Sequence, residues 1–305
     1  MTTIVLRLGA TLLMLGVAPA VLGLVTRTRA LLTGRRGAPV LQGYADLAKL
    51  LRKGAVFSEV TTPAFQVSAL IYLVTTVVAA GLVPFDGRAA LTGFPGDLLL
   101  FAGLLAAGRY ALVVAALDTG SSFEGMGASR EVMLGSLVEP ALFLCLMVPM
   151  LASGQLSLAG MLGSELARVW TLEAPALVMS GVCLFVLLIA ESGRVPIDDP
   201  ATHLELTMIH EVMVLDHGGL DLGLIQYAGA VKFTMLATLL LGVVEPRGAM
   251  APGVALAAGI AGLALVAMAV GVVEAVMGRL RLNRVPQLLV ATAMLATVAV
   301  ILVLH

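Results

Sequence analysis

The chain is 305 residues long, 60% hydrophobic and 12% charged, with a formal net charge of −1 and a mean hydropathy of +1.05. Soluble domains are about a quarter charged, so an ordinary soluble enzyme is excluded, and the near-neutral balance speaks against a nucleic-acid partner. Two cysteines, Cys145 and Cys183, cannot supply the roughly four thiolates an iron–sulfur cluster needs and read as small core hydrophobes.

A membrane-crossing helix needs about 20 mostly apolar residues. In chain order, eight windows qualify: Leu8–Thr26, Ala64–Val83, Leu98–Leu117, Pro140–Leu162, Ala174–Ala190, Ala228–Val244, Gly248–Val273 and Val285–Leu304. None alternates apolar and polar residues as a porin strand does. The predicted fold class is therefore an all-α integral membrane protein of about eight transmembrane helices, a single polytopic membrane domain over residues 1–305. The first window has no basic leader and its charges follow the apolar run, so it reads as a first span and not a cleaved signal. With the N-terminus outside, the inside loops hold twelve basic residues: Arg27, Arg29, Arg35, Arg36, Lys49, Arg52, Lys53, Arg130, Arg194, Arg279, Arg281 and Arg284. The outside segments hold four, Arg7, Arg88, Arg168 and Arg247. This is a positive-inside bias, and an even number of spans places the C-terminus outside as well.

The first inside loop contains "LQGYADLAKLLRKG". Gln42, Asp46, Lys49 and Lys53 fall on one helical face and Leu41, Tyr44, Leu47, Ala48 and Leu51 on the other. The pattern predicts an amphipathic helix on the inner membrane surface, either beneath a docked subunit or as a plain anchor. The second inside loop, "LDTGSSFEGMGASRE", lacks the phosphate-loop pattern and is predicted to be an irregular, docked loop. Glu131 and Glu139 follow at the start of the fourth span, about two turns apart and on one side. A carboxylate left to lipid costs about 2.5–3.5 kcal/mol. Both must face protein or water, which makes them proton-relay candidates; capping and solvating the helix start is the plainer alternative.

The densest polar stretch is "ESGRVPIDDPATHLELTMIHEVMVLDH", Glu191 to His217, with six carboxylates, three histidines and one arginine. Pro196 and Pro200 interrupt any helix, which predicts a structured inside loop between helices five and six. A helix is expected from about Ala201 to Leu215, stopped by Gly218 and Gly219. His203, His210 and His217, spaced by seven, would line one stripe of such a helix. No H-E-x-x-H pattern accompanies them, so no metal ligand is assigned. No serine or cysteine sits beside a base, so no catalytic residue is assigned either. What remains is a cluster able to take up and release protons when a nearby charge changes. The proton-coupling candidates are Glu131, Glu139, Glu191, Asp198, Asp199, Glu205 and Glu211, joined by Lys232 and Glu274 from the apolar spans. Arg194, His203, His210, Asp46, Lys49 and Arg130 are the docking or electrostatic candidates.

"ESGRVPID" resembles the Glu-x-x-Arg-x-Pro-x-Asp signature of the subunit-1 family of respiratory complex I, which extends to the membrane anchors of energy-converting NiFe hydrogenases. "LQGYADLAKLLRK" resembles that family's first inside loop and "LDTGSSFEGMGASREVM" its second. Quinone-using members typically read Pro-Phe-Asp-Leu-Pro-Glu-Ala-Glu-Ser-Glu-Leu in the third motif. Here Ile197, Asp199, Ala201 and His203 depart, while Asp198, Pro200, Glu205 and Leu206 remain. "DDPATHLELTMIHE" is similar instead to the anchors of formate hydrogenlyase and hydrogenase-4-type complexes. The resemblance implies an eight-helix subunit whose second to sixth helices are akin to an antiporter half-channel. It implies docking of an iron–sulfur small subunit and a hydrogenase-like large subunit on the cytoplasmic face, beside antiporter-like membrane subunits in the bilayer of the cytoplasmic membrane. No cofactor is expected in this chain; iron–sulfur clusters and a Ni–Fe centre would belong to partners. By motif position, coupling or docking roles carry over to Glu131, Glu139, Glu191, Arg194, Asp198 and Glu205. The expected function is a membrane subunit that couples electron transfer in a soluble arm to proton or sodium movement. The alternatives are a quinone-site subunit of a complex I-type oxidoreductase and a stand-alone cation/proton antiporter.

Overall fold

The computed structural model of the chain describes residues 2–87, 90–198 and 208–305. Eight helices among them are long and apolar enough to cross a membrane. They are α1 (Thr2–Leu32), α3 (Pro63–Leu82), α4 (Asp97–Asp118), α5 (Ser122–Ser153), α8 (Ala174–Glu191), α9 (Gly219–Val244), α10 (Pro252–Val276) and α11 (Val285–Leu304). Three shorter helices, α2 (Gln42–Leu50), α6 (Leu158–Met161) and α7 (Ser164–Val169), lie in the connections. These spans are apolar on every face, as suits helices that pack on protein and, for the outer ones, also meet lipid. The helix α9 is the central one: 83% of its apolar window is buried, against 33% for α1 and 28% for the last span. It packs on α1, α3, α8 and α10, while α5 packs on α4, α8 and α11. Eight crossings divide the connections between two faces. One face carries the segments 33–62, 119–121, 192–198, 208–218 and 277–284, and is called the loop-rich face below.

Local chemistry ties the helix ends together. Thr62 Oγ1 caps α3 by accepting from Ala64 N at 3.2 Å, and the Asp118 carboxylate at the end of α4 accepts from both Thr62 N (2.7 Å) and Thr62 Oγ1 (2.9 Å). On the opposite face Asp97 Oδ1, at the start of α4, accepts from Leu158 N at 2.7 Å. Such side-chain acceptors satisfy backbone donors that a helix start leaves open.

Four expectations from sequence change. The second inside loop is mostly helix: α5 begins at Ser122 and runs unbroken past Pro140 and Pro149 to Ser153. Proline is tolerated in a packed membrane helix because neighbouring groups re-satisfy the freed carbonyls, so Pro140 does not mark its start. The glycines of this stretch serve close approach. A Cβ on Gly127 would lie 3.0 Å from Met213 Cγ and 3.1 Å from the Ile209 carbonyl. The helix expected over 201–215 is also absent where it can be seen. Met208–Leu215 contains a single 3-10 turn, Glu211–Val214, because the Ile209 and His210 amides donate to the Asp198 carboxylate instead of to a preceding turn. Residues 199–207, with Asp199, His203 and Glu205, lie outside the described residues. Finally, Gly219 begins α9 and does not end a helix; with φ +53°, it faces the Gly54 carbonyl, 2.6 Å from where a Cβ would sit.

The stretch predicted as a surface helix contains α2, with Gln42 Nε2 donating to Asp46 Oδ1 at 2.9 Å across one turn. It rests against α1 and α9, and none of its residues is fully buried.

The α1–α10 seam is set by one glycine. A Cβ on Gly271 would stand 2.7 Å from Thr28 Cβ and 2.8 Å from the Val25 carbonyl, and overpacking of this kind costs about 1–3 kcal/mol. Gly271→Ala is expected to lower the thermal midpoint of the detergent-purified protein by several degrees. Gly253→Ala in the same helix, with nothing within 4 Å, is expected to leave it unchanged. Equal midpoints for the two variants would contradict the close seam.

Candidate functional site

The polar centre of the bundle is organised by Arg109, on α4 and only 8% exposed. An isolated arginine at membrane depth is expensive, and three carboxylates surround this one. Nε donates to Glu131 Oε1 at 3.0 Å, Nη1 pairs with Glu139, and Nη2 pairs with Glu191 at the end of α8. The sequence of α5 makes the cradle. Glu131, Gly135 and Glu139 recur every four residues and so share a face. A Cβ on Gly135 would fall 2.5 Å from Arg109 Nη1, so glycine leaves the slot into which the guanidinium lies between the two glutamates.

Two further groups extend the cluster. From α9, Lys232 Nζ meets Glu191 Oε2, with Tyr72 of α3 within electrostatic reach of the ammonium. From the 192–218 loop, His210 Nε2 stands 3.3 Å from Glu131 Oε2. Its Nδ1 is 3.5 Å from Asp198 Oδ2, an ion contact without the alignment of a hydrogen bond. Asp198, 2% exposed, also accepts from Ile209 N and His210 N at 3.0 Å each. Its other oxygen accepts from Arg279 at 3.2 Å. One connected polar chain thus runs Asp198–His210–Glu131–Arg109, then branches to Glu139 and to Glu191–Lys232. Around Arg109 there are three carboxylates and two permanent cations, Arg109 and Lys232. A protonated His210 supplies the third positive charge.

The space left is small. A cavity of about 10 Å³ is bounded by Arg109, Glu131, Gly135, Glu191, Ile197 and His210, room for about one water. Glu139 is the open end of the chain: its side chain is 39% exposed, against 7% for Glu131 and 4% for Glu191.

The remaining sequence candidates are distributed around this core. Glu274 and Arg194 form a separate group, 3.3 Å apart, with Arg29 at 3.9 Å from the other Glu274 oxygen. Glu274 therefore braces the ends of α1 and α10 and does not join the Arg109 chain directly. Arg130 Nη1 donates to the Met208 carbonyl at 2.8 Å, an internal clip on the loop. Glu211 opens the 3-10 turn and is exposed. Asp46 and Lys49 lie on α2, and no ion pair among the described residues joins them to the cluster. Of the three histidines, His203 lies outside the described residues, and His210 and His217 face different partners. His217 stacks on Phe65 at 4.0 Å and 5°, and burial there holds its pKa down to about 4. Sequence reading missed Arg109 as the hub and Arg279 as the partner of Asp198; a lone arginine inside an apolar window was the available signal for the first.

The sequence model described as NADH dehydrogenase matches residues 5–305. The chain belongs to the NADH dehydrogenase family. Formate hydrogenlyase subunit 4 of Escherichia coli is 31% identical over 91% of this chain and 91% of its own length. Hydrogenase-4 component C of the same organism is 29% identical over 80% of this chain and 76% of its own. An NADH-quinone oxidoreductase subunit of Rickettsia prowazekii is 26% identical over 67% of this chain and 60% of its own. Among solved structures, a chain of the membrane-bound sulfane sulfur reductase, an archaeal respiratory membrane complex, superposes with a TM-score of 0.84. The match covers 99% of this chain and 100% of that one, at 18% identity, a likeness of fold. This all-α, eight-span member of the NADH dehydrogenase family thus has relatives among the membrane subunits of hydrogenase-type and complex I-type complexes.

Two outcomes follow from the cluster. Replacing Arg109 by methionine strands three carboxylates, two of them buried, and breaking a buried pair costs about 3–5 kcal/mol. Arg109→Met is expected to lower the thermal midpoint far more than Arg109→Lys, and equal midpoints would exclude a charge-compensating role. The second concerns pH. Burial alone would lower the His210 pKa, but the Glu131 charge and Asp198 outweigh it and raise the value above its ordinary 6.5, with Lys232 opposing. Burial alone would raise Asp198, but His210 and the two backbone amides hold it below its ordinary 3.8. The His210 contribution to stability is therefore present below pH 6.5 and is lost as pH rises through its raised folded value; the Asp198 contribution is present above pH 3.8 and is lost as pH falls through its lowered one. Thermal midpoints should decline on the alkaline side with a step that His210→Gln removes. An identical alkaline decline in that variant would show that His210 does not carry it.

Proposed function

We propose that the chain is the membrane subunit through which a soluble, electron-carrying arm drives ion movement. It would anchor an iron–sulfur small subunit and a hydrogenase-like large subunit on its loop-rich face, which the basic loops assign to the cytoplasm, with both termini on the other side of the cytoplasmic membrane. The observation that carries this reading is the continuous polar chain from Asp198 in the loop to half-exposed Glu139 in a membrane helix. A structural salt bridge would need two partners. This one links groups from α4, α5, α8, α9 and the 192–218 loop, and it ends at the loop-rich face on one side and laterally in the membrane on the other.

The proposed mechanism is electrostatic. Negative charge arriving in a partner above the loop favours the protonated form of His210, which already sits between two carboxylates. Protonated His210 competes with Arg109 for Glu131. The guanidinium is then drawn toward Glu139 and Glu191, and the balance of charge along the chain changes without any open water channel. The proton taken up by His210 then passes by way of Glu131 to Glu139 and leaves there sideways, toward an adjoining antiporter-like subunit. Electron carriers are assigned to the partners; among the described residues no group of three or more His, Cys, Asp or Glu side chains could hold a metal ion.

The test is Glu139→Gln in the purified complex reconstituted into liposomes. Redox turnover should stay within about twofold of wild type while proton or sodium translocation falls at least tenfold. Undiminished translocation would remove Glu139 from the path. Transport by the isolated chain without partners would favour a stand-alone antiporter, and inhibition by quinone-site ligands a quinone-binding subunit.

A further inference from the structure

We propose that the loop-rich ends of α1 and α10 form a headgroup site for an anionic phospholipid. This requires only that the chain spans a membrane and is independent of the redox reading. Residues 27–41 contain four arginines and residues 275–286 contain three, with no aspartate or glutamate in either segment. The fold brings the beginnings of the two segments together at the ends of α1 and α10, and the second segment then leads into α11, which packs on α5 and α8. The α1–α10 seam closes at Thr28 against Gly271, and one turn further on Arg29 lies 3.9 Å from Glu274.

Three of the seven arginines have internal duties. Arg27 donates to the carbonyls of Arg36 and Gly37 and folds the chain back after α1. Arg29 lies against Glu274, and Arg279 pairs with Asp198. The other four, Arg35, Arg36, Arg281 and Arg284, are exposed, and none makes an ion pair with a described residue. The remaining loop-rich segments mix signs: Asp46 and Glu59 accompany Lys49, Arg52 and Lys53, and Glu124 and Glu131 accompany Arg130. The excess of positive charge is thus largest at this edge.

What covers the edge follows from its surroundings. Just below the arginines, Leu31, Leu32, Val276 and Met277 are 58%, 56%, 78% and 47% exposed, and α1 and α10 are among the least buried spans. Cations above exposed aliphatic side chains, at the end of lipid-facing helices, match a phosphate above acyl chains, and basic clusters between helix ends are how membrane proteins hold anionic headgroups. An acidic protein partner would match the charge but would leave the aliphatic belt without an occupant. The site also touches the polar chain. Leu280 N donates to the Pro196 carbonyl at 2.8 Å and Arg279 holds Asp198, so a lipid on Arg281 and Arg284 would brace the connection that holds the loop.

The experiment places the full chain, purified with its associated subunits, in nanodiscs of phosphatidylcholine containing either cardiolipin or phosphatidylglycerol. Retained lipid is then read by native mass spectrometry. Wild type should keep anionic lipid at least tenfold over phosphatidylcholine. The quadruple variant R35Q/R36Q/R281Q/R284Q should lose that preference, and the matching lysine variant should keep most of it. Arg168→Gln, on the opposite face, should have no effect. Equal retention by wild type and the quadruple variant, or no headgroup preference in wild type, overturns the proposal. So does loss of a protein subunit from the quadruple variant with its lipid content unchanged, which would assign the cations to an acidic polypeptide. Should the quadruple variant fail to fold, the wild-type preference is measured alone with 2-glycerol phosphate as competitor. A preference that soluble phosphate abolishes would also overturn a lipid site.

Discussion

The structure depends on one guanidinium that cannot be left alone. Arg109 sits within a membrane helix, where an uncompensated charge costs several kcal/mol, and its neighbourhood answers that cost. Gly135 leaves the slot, Glu131 and Glu139 flank it, and Glu191 arrives from the end of α8. Once three carboxylates have gathered around one cation, they need more positive charge themselves. Lys232 supplies part of it permanently, and His210 supplies the rest only when protonated. That conditional member is the one the proposed coupling would use.

The loop between α8 and α9 is shaped by the same need. Asp198 takes the backbone amides of Ile209 and His210, an arginine from the α10–α11 connection and the His210 ring. These bonds fold Met208–Leu215 against α5 instead of letting it wind into a helix. His210 is thereby presented to Glu131, and the loop becomes the place where a charge outside the membrane meets a carboxylate inside it. Arg194, Glu274 and Arg29 hold the other end of the loop to α10 and α1. The loop-rich face thus behaves as one braced unit and not as a set of independent connections.

Much of this could be read from the sequence, and the rest fails for identifiable reasons. The eight spans were legible because lipid demands long apolar runs. Their boundaries were not, because Ser122–Glu139 is too polar for a hydropathy window yet is helical once α4 and the loop pack on it. Glu131 and Glu139 share a face because helical spacing is local information. Arg109 as their common partner is not local: it joins residues 22 and 30 positions apart, and a third 82 positions away. His210 could be named as a titratable residue, but the expected helix would have turned it into one rung of a histidine stripe. It takes its place through Asp198, a tertiary bond that no periodicity encodes. Glycines 127 and 219 read as loop or stop signals in isolation and, like Gly135, prove to be points of close contact.

The central claim is that redox change outside the membrane alters protonation along the chain from Asp198 to Glu139. The reduced-minus-oxidised infrared difference spectrum of the intact complex measures this most directly. Coupling requires carboxyl and imidazole bands that respond to reduction, with the carboxyl component altered in Glu139→Gln and both altered in His210→Gln. A complex that turns over fully while its carboxyl and imidazole bands stay silent, in wild type and variants alike, would reduce the cluster to a membrane-embedded salt bridge and contradict the coupling.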